Sequence, residues 1–406
     1  MRQPYRTPSL PCLLALFAAL FCTVAQAADQ PDPAFEQWVR EFRQTAISNG
    51  ISAQVYDQAF KGITSPDQWV LDRASFQPEF KAPVWQYFDN RVQRRAIERG
   101  KQEKEKIAPW LDKIEKRFGV DPDILLAIWS VESSFGGILG NDKVLRNVIR
   151  SLATLAYADQ KRKKFGRQQL LAALKILQAG DIEDRYLLGS WAGAMGHTQF
   201  IPTSYLAYAV DIDGDGKRDI WNSVPDALAT AANLLSSNGW QRGKPWGYEV
   251  TIPQRRLPAG KLTVAEWEKL GVKRANGDPF PSKAAVAELK LPDGRQGPVF
   301  LVFKNFFVLK RYNNSDRYAI AIGLLADRIG GAPPLVKDWN RPFTPLQSGQ
   351  VEELQKLLNQ QGFYSGEIDG KAGPATRKAI RAFEARAGVA VKGYPSKEVL
   401  ELLQRQ

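Results

Sequence analysis

Residues 121–136 read DPDILLAIWSVESSFG, and this stretch decides how the chain is organised. Asp121 can cap a helix, Pro122 suits its first position, and Asp123 faces the positive end of the helix dipole. Ile124 to Trp129 and Val131 are apolar on nearly every face, so this helix belongs at the centre of a domain. Its closing turn carries one acid, Glu132, followed by the small residues Ser133, Ser134, Gly136 and Gly137. A carboxyl group in that place is partly desolvated and meets the negative end of the dipole, and both influences favour its protonated form. A carboxylic acid that keeps its proton near neutrality is the proton donor that glycosidic bond cleavage requires. The pattern fits equally well a glutamate bonded to a buried backbone group or an arginine, so residue spacing alone leaves both readings open.

Working outward, the same helical spacing recurs. PAFEQWVREFRQTAISNG and ISAQVYDQAFKGI place apolar residues three and four apart, and NRVQRRAIERGKQEKEKIAPWLDKIEKRFG reads as a long solvated helix broken near Pro109. Further helices are expected over about 121–135, 167–179, 223–237 and 318–329. Between about 245 and 310 the pattern changes to short β-branched runs, YEVTIP, AELKL and PVFLVF, bounded by Pro, Gly and Asp. The fold class expected is α+β, mainly α: a helical domain over 28–330 with a small β insertion. Residues 331–346, GAPPLVKDWNRPFTPL, hold four prolines and read as an extended linker. Residues 347–406 then form two amphipathic helices around the turn-rich YSGEIDGKAGP, the makings of a small three-helix module.

The chemistry is bounded by what the chain lacks. Of 406 residues 44% are hydrophobic, which is enough for packed cores, and after the N-terminal stretch no apolar run is long enough to span a bilayer. Arg2 and Arg6, the run LLALFAALF and Ala25-Gln26-Ala27 make residues 1–27 a secretory signal peptide, a retained anchor being the alternative. Pro11 before Cys12 and Phe21 before Cys22 exclude lipoprotein processing. Cleavage after Ala27 removes both cysteines and leaves a net charge of +11, which favours a polyanionic partner. A chain with a single histidine, His197, and no mature cysteine builds no multi-His zinc site and no thiol nucleophile. The sequence has no G-x-S-x-G elbow and no Walker or dinucleotide glycine signature, and no organic cofactor is expected. His197 itself is read as a packed or hydrogen-bonding residue.

AIWSVESSFGG, followed in order by GSWAGAMGHTQFIPTSY, DIDGDGKRDIWNSVPDALATAANLL and RYNNSDRYAIAIGLLADRI, resembles the B-type lytic murein transglycosylases over most of 33–330. The tail GEIDGKAGPATRKAIRAFE resembles the peptidoglycan-binding domain of many wall enzymes. The resemblance implies a lysozyme-like core that cleaves the β-1,4 bond between N-acetylmuramic acid and N-acetylglucosamine, in the periplasm, with peptidoglycan strands as partner. It makes Glu132 the single acid and base, giving 1,6-anhydromuramyl ends. It places Ser190 and Gln199 beside Glu132, gives Asn313 the sugar or its acetamido group, and lets Tyr87 hold Glu132. Leu234 stands where the family often has a cleft-lining aromatic, and Trp191 is the substitute. Two rivals remain: a hydrolytic muramidase, and a wall-binding protein without activity.

Asp211-Ile-Asp213-Gly-Asp215-Gly216-Lys217 carries carboxylates at positions 1, 3 and 5 and glycine at 6, as an EF-hand does, with Lys217 at the main-chain carbonyl position. Asn222 occupies position 12, where the usual bidentate glutamate would stand. The family closes a longer loop with a later aspartate, for which Asp226 is the nearest residue, one place late. Structural calcium is the cofactor expected, and an Asp/Gly-rich turn without an ion is the alternative.

Overall fold

A computed structural model describes residues 30–75 and 83–406, so the export signal expected over 1–27 lies outside the described residues. In chain order the elements are α1 (Pro33–Ser48), α2 (Ala53–Ala59), α3 (Gln68–Ser75), α4 (Val84–Asp89), α5 (Arg94–Lys106), α6 (Ala108–Phe118), α7 (Pro122–Ser133), β1 (Arg146–Asn147), α8 (Val148–Ala158), α9 (Lys163–Ala179), β2 (Leu188–Gly189), α10 (Pro202–Tyr208) and α11 (Val224–Ser237). They continue with β3 (Gly247–Thr251), β4 (Lys261–Thr263), α12 (Val264–Lys269), β5 (Lys273–Arg274), β6 (Val286–Lys290), β7 (Val299–Val302), α13 (Lys304–Tyr312), α14 (Asp316–Ile329), α15 (Ser348–Gln360), α16 (Pro374–Arg386) and α17 (Lys397–Gln404). Pro109 sits in the first turn of α6, where its missing N–H costs nothing, and the break expected near it falls at Ile107.

The chain divides into two compact units. One joins the segment ending at Ser75 with Arg146–Gly193. Its centre is the pair α8 and α9, which touch where a Cβ on Gly166 would lie 2.5 Å from the Ala156 backbone nitrogen. Phe35, Trp38, Phe42 and Tyr157 form an aromatic cluster from α1 and α8. The Arg150 guanidinium donates to the carbonyls of Ser65 and Pro66, fixing the loop that leads into α3. The short ladder of β1 and β2 pairs Arg146 with Gly189 and Asn147 with Leu188.

The other unit joins the described residues 83–145 with everything from Ala194 onward. Here α7 is the central helix: Leu125 to Ile128 have no exposed surface, and α14, α5, α11 and α6 pack around it. The insertion is an antiparallel sheet in the order β4-β6-β7-β3-β5, with α12 over it and Trp267 wholly buried in its core. The three runs legible in the sequence are β3, β6 and β7, the interior of that order. β4 and β5 are short Lys- and Arg-bearing edges, the composition that protects a sheet edge and hides it from hydrophobic patterning. Residues 331–346 form neither helix nor sheet strand, yet they are held down. Glu249 accepts from the Val336 and Lys337 N–H groups at 2.7 and 2.8 Å, and Trp339 stacks on Phe88 at 4.1 Å.

In the last module α15, α16 and α17 close over Leu354, Leu358, Ile380 and Phe383. The wholly buried amide of Gln355 accepts from Asp369 and Gly370 N–H and donates to the Asp369 carboxylate at 2.9 Å, pinning the Gly-Asp loop. Asp369 is held below the usual carboxylate range, first by Gln355 and then by the Lys371 N–H.

Gly323 on α14 shows how tightly the core of this unit is built. A Cβ there would lie 2.3 Å from two carbons of the Trp246 ring, and the indole is tethered by its N–H to Asp327 at 3.0 Å. Gly323→Ala is therefore expected to cost about 2–3 kcal/mol, seen as a lower denaturation midpoint at an unchanged m-value.

Candidate active site

The site is set by how α7 stops. Ser134, Phe135 and Gly136 follow one another in the left-handed region, with φ of 53°, 57° and 80°. Two of the three are not glycine, which costs about 1 kcal/mol or more each and marks a turn fixed by its surroundings. Those surroundings come from residues 195–200. Trp129 donates its indole N–H to His197 Nδ1 at 3.0 Å. Ser133 donates its hydroxyl to the His197 carbonyl at 2.6 Å and accepts from the Gly136 N–H at 3.0 Å. A Cβ on Gly136 would lie 2.6 Å from the His197 ring, so glycine is required there twice over. Burial pushes His197 down to about 4, so the imidazole is neutral and its Nδ1 acts as an acceptor. The histidine is a structural bracket, as the residue pattern suggested.

Glu132 emerges from this turn half-buried, and Tyr318 donates its phenol to Glu132 Oε1 at 2.6 Å. Tyr318 stacks on Tyr312 with ring centres 6.2 Å apart and planes 12° apart, and Tyr312 donates to the Thr198 carbonyl. Burial first, and the nearby Glu132 charge second, push both phenols well above their usual range. They stay protonated donors throughout the working pH range. That hydrogen bond fixes the position of Glu132 Oε1.

The residues proposed from sequence fall differently around this centre. Gln199 is half-buried at φ 49°, and its amide donates to the Gly196 carbonyl at 2.9 Å, so its turn uses one end of the group. Tyr87 is buried on α4, with the Arg91 guanidinium 3.7 Å over its ring, and it acts electrostatically on Tyr318. Asn313 is exposed at the end of α13, next to Tyr312, and its carbonyl accepts from Ser315 N–H at 2.7 Å. Ser190 belongs to the other unit, where its hydroxyl accepts from the Ala192 N–H at 3.3 Å. Trp191 is half-buried there with Arg162 5.3 Å above its ring. Leu234 is buried core on α11. Tyr312 and Tyr318 were missed. The signal was in the text, since RYNNSDRY spaces them six apart across a Ser-Asp cap, but helical spacing alone marks such tyrosines as core.

A second cluster lies on the loop before α11. One carboxylate oxygen from each of Asp211, Asp213, Asp215 and Asp226 lies within 4.8 Å of the others. Asp211 accepts from Gly214 and Gly216 N–H, and these bonds hold it below the usual range. Asp226 is wholly buried and accepts from Ile212 and Asp219 N–H at 2.8 and 3.0 Å, while burial still pushes it up to about 6. Lys217 is exposed on the same loop and donates its N–H to Asp215 at 2.8 Å. Four mutually repelling carboxylates on an oxygen-only loop fit a hard divalent cation such as calcium.

Comparison with known proteins extends the picture. Residues 34–327 match the family described as "Transglycosylase SLT domain", and 347–403 match "Putative peptidoglycan binding domain". Membrane-bound lytic murein transglycosylase B of Escherichia coli K12 is 30% identical over 215 residues, 52% of this chain and 58% of that protein, so the match spans little more than half of that relative. The crystal structure of SltB3 from Pseudomonas aeruginosa in complex with NAG-anhNAM-pentapeptide is 46% identical, with TM-score 0.72, covering 91% of this chain and 99% of that one. The soluble lytic transglycosylase SltB1 of the same organism is 28% identical, with TM-score 0.62, covering 73% of this chain and 98% of that one. With more than half its length matched by the family model, the chain belongs to the transglycosylase SLT domain family.

Proposed function

We propose that this protein is a peptidoglycan lytic transglycosylase acting outside the cytoplasm, with Glu132 as its acid and base. The observation that carries the reading is the half-buried Glu132 on its fixed turn, held through one oxygen by Tyr318. In the first step the protonated carboxyl of Glu132 gives its proton to the glycosidic oxygen, and the bond from that oxygen to C1 of the muramyl sugar breaks. The acetamido group of the same sugar stabilises the positive charge at C1. In the second step Glu132, now a carboxylate, takes the proton of the muramyl 6-hydroxyl, whose oxygen bonds to C1. The product is a 1,6-anhydro end, no water is consumed, and Glu132 recovers its proton. Such chemistry needs no second carboxylate, unlike the paired acids of hydrolytic glycosidases about 5 Å or more apart. Gln199 and Asn313 supply amide groups for the sugar. Residues 347–403 bind the wall. Among the described residues no helix is long and apolar enough to cross a membrane.

Calcium is proposed as a structural ion held by Asp211, Asp213, Asp215 and Asp226 with the Lys217 carbonyl. When bound, it neutralises the carboxylates and ties the loop to the start of α11.

Three outcomes test these assignments. Digested sacculi should yield anhydro ends lighter by one water than hydrolytic ends, by mass spectrometry; reducing ends instead would mean a muramidase. Glu132→Gln should lower kcat by about a thousandfold or more while sacculus binding survives, and full retention of activity would remove Glu132 from the chemistry. Tyr318→Phe keeps the ring and its stack but removes its hydrogen bond to Glu132, and kcat should fall about tenfold at an unchanged KM. For the ion, calcium at about a hundred times its Kd should stabilise the fold by about 2.7 kcal/mol. Differential scanning calorimetry should show that gain, and Asp211→Asn with Asp215→Asn should abolish it.

A further inference from the structure

We propose that the basic ridge formed by the exposed Lys161, Lys163 and Lys164 with the half-buried Arg162 and Arg167 is a docking surface for the carboxylate-bearing peptide stems of peptidoglycan. The inference rests on the reading of the protein as a wall enzyme and adds a specificity surface to it. Five cations fall within seven residues, against a single neighbouring acid, Asp159. That acid is already used: it bonds Arg162 at 2.9 Å and accepts from the Lys161 and Arg162 N–H groups. Lys161, Lys163 and Lys164 are exposed, and no carboxylate among the described residues lies within ion-pair distance of them.

The ridge is not a solvated face of mixed sign of the kind seen on α5, where Arg94 and Glu98 pair along the helix. Its charges repel one another, and the helix dipole at this end of α9 has the same sign and does nothing to relieve them. An anionic partner removes that cost. The Arg162 guanidinium rests over the ring of Trp191, the residue after Ser190, within the same unit. Arg167 lies over the Phe42 ring. Two of the five cations are thus fixed on aromatic faces, and the three lysines project freely. A glycan strand is itself uncharged apart from its peptide stems, whose free carboxylates repeat along it. Compact, strongly hydrated ammonium groups on flexible stems suit such targets, which vary in position from strand to strand.

The test uses the full chain with Lys161→Gln, Lys163→Gln and Lys164→Gln combined. It is assayed on intact sacculi and on the same sacculi with their stem carboxylates converted to amides by carbodiimide and ammonia. On intact sacculi at low salt the variant should show KM raised about fivefold at unchanged kcat. Raising salt to about 0.3 M should bring the wild type to the variant's value. On amidated sacculi the two chains should share one KM. Equal KM on intact sacculi overturns the proposal, and so does an equal loss on amidated sacculi, which would assign the ridge to the sugar. Binding of anionic phospholipid vesicles that the variant loses, with no change in KM, overturns it in favour of a membrane. If the wild type releases saccharide from neither substrate, the catalytic reading fails instead. Co-sedimentation with intact sacculi at low salt then judges the ridge alone: weaker retention of the variant supports it, and equal retention overturns it.

Discussion

The hydrogen bond from the Trp129 indole to His197 Nδ1 joins residues 68 apart in sequence, and the turn that carries Glu132 depends on it. It demands a neutral imidazole, which burial guarantees. It also demands that the chain after α7 fold back sharply enough for Gly136 to lie under that imidazole. The left-handed run from Ser134 to Gly136 is the result, and Glu132 is the last long side chain before it. Strain in the backbone is thereby exchanged for a fixed direction of one carboxyl group.

The same logic extends through residues 195–200 to α13 and α14. Gly196 approaches the Ile220 carbonyl so closely that a Cβ would lie 2.4 Å from it, and Gln199 completes the turn at positive φ. The Thr198 carbonyl released by that turn meets the Tyr312 phenol, and the ring of Tyr312 supports Tyr318 against Glu132. The acid is therefore held from two directions, through its own helix by Ser133 and Trp129, and through its carboxylate by the tyrosine pair. Lys290 and Lys310 both pair with Asp316 at the start of α14, which anchors the turn that carries Tyr318.

The central helix was legible because nearly every residue from Ile124 to Val131 is apolar, a pattern with few alternative meanings. The fold class and the family followed from residues whose order along the chain is itself diagnostic, and both hold. Glu132 stood out because an acid among so many apolar neighbours is costly. What surrounds it was not legible in the same way. Tyr312 and Tyr318 lie about 180 residues away, and nothing local distinguishes a phenol that donates to a carboxylate from one that fills a core. The edge strands β4 and β5 were hidden because edges are built from the residues that strand patterning discounts. The Asp cluster was visible by spacing, but the burial that raises Asp226 comes from its place inside the first turn of α11.

Residues 331–346 carry a consequence of their own. A free chain of that length would let its two ends wander about 20 Å apart. Here Glu249 grips two consecutive N–H groups, Arg341 pairs with Asp89 at 2.8 Å, and Phe343 stacks on Tyr394 and meets Trp85 edge-to-face. The segment is a splint. It sets α15–α17 at a fixed offset from the helical core, so under the proposed function the place where the module binds would dictate where along the polymer the core acts.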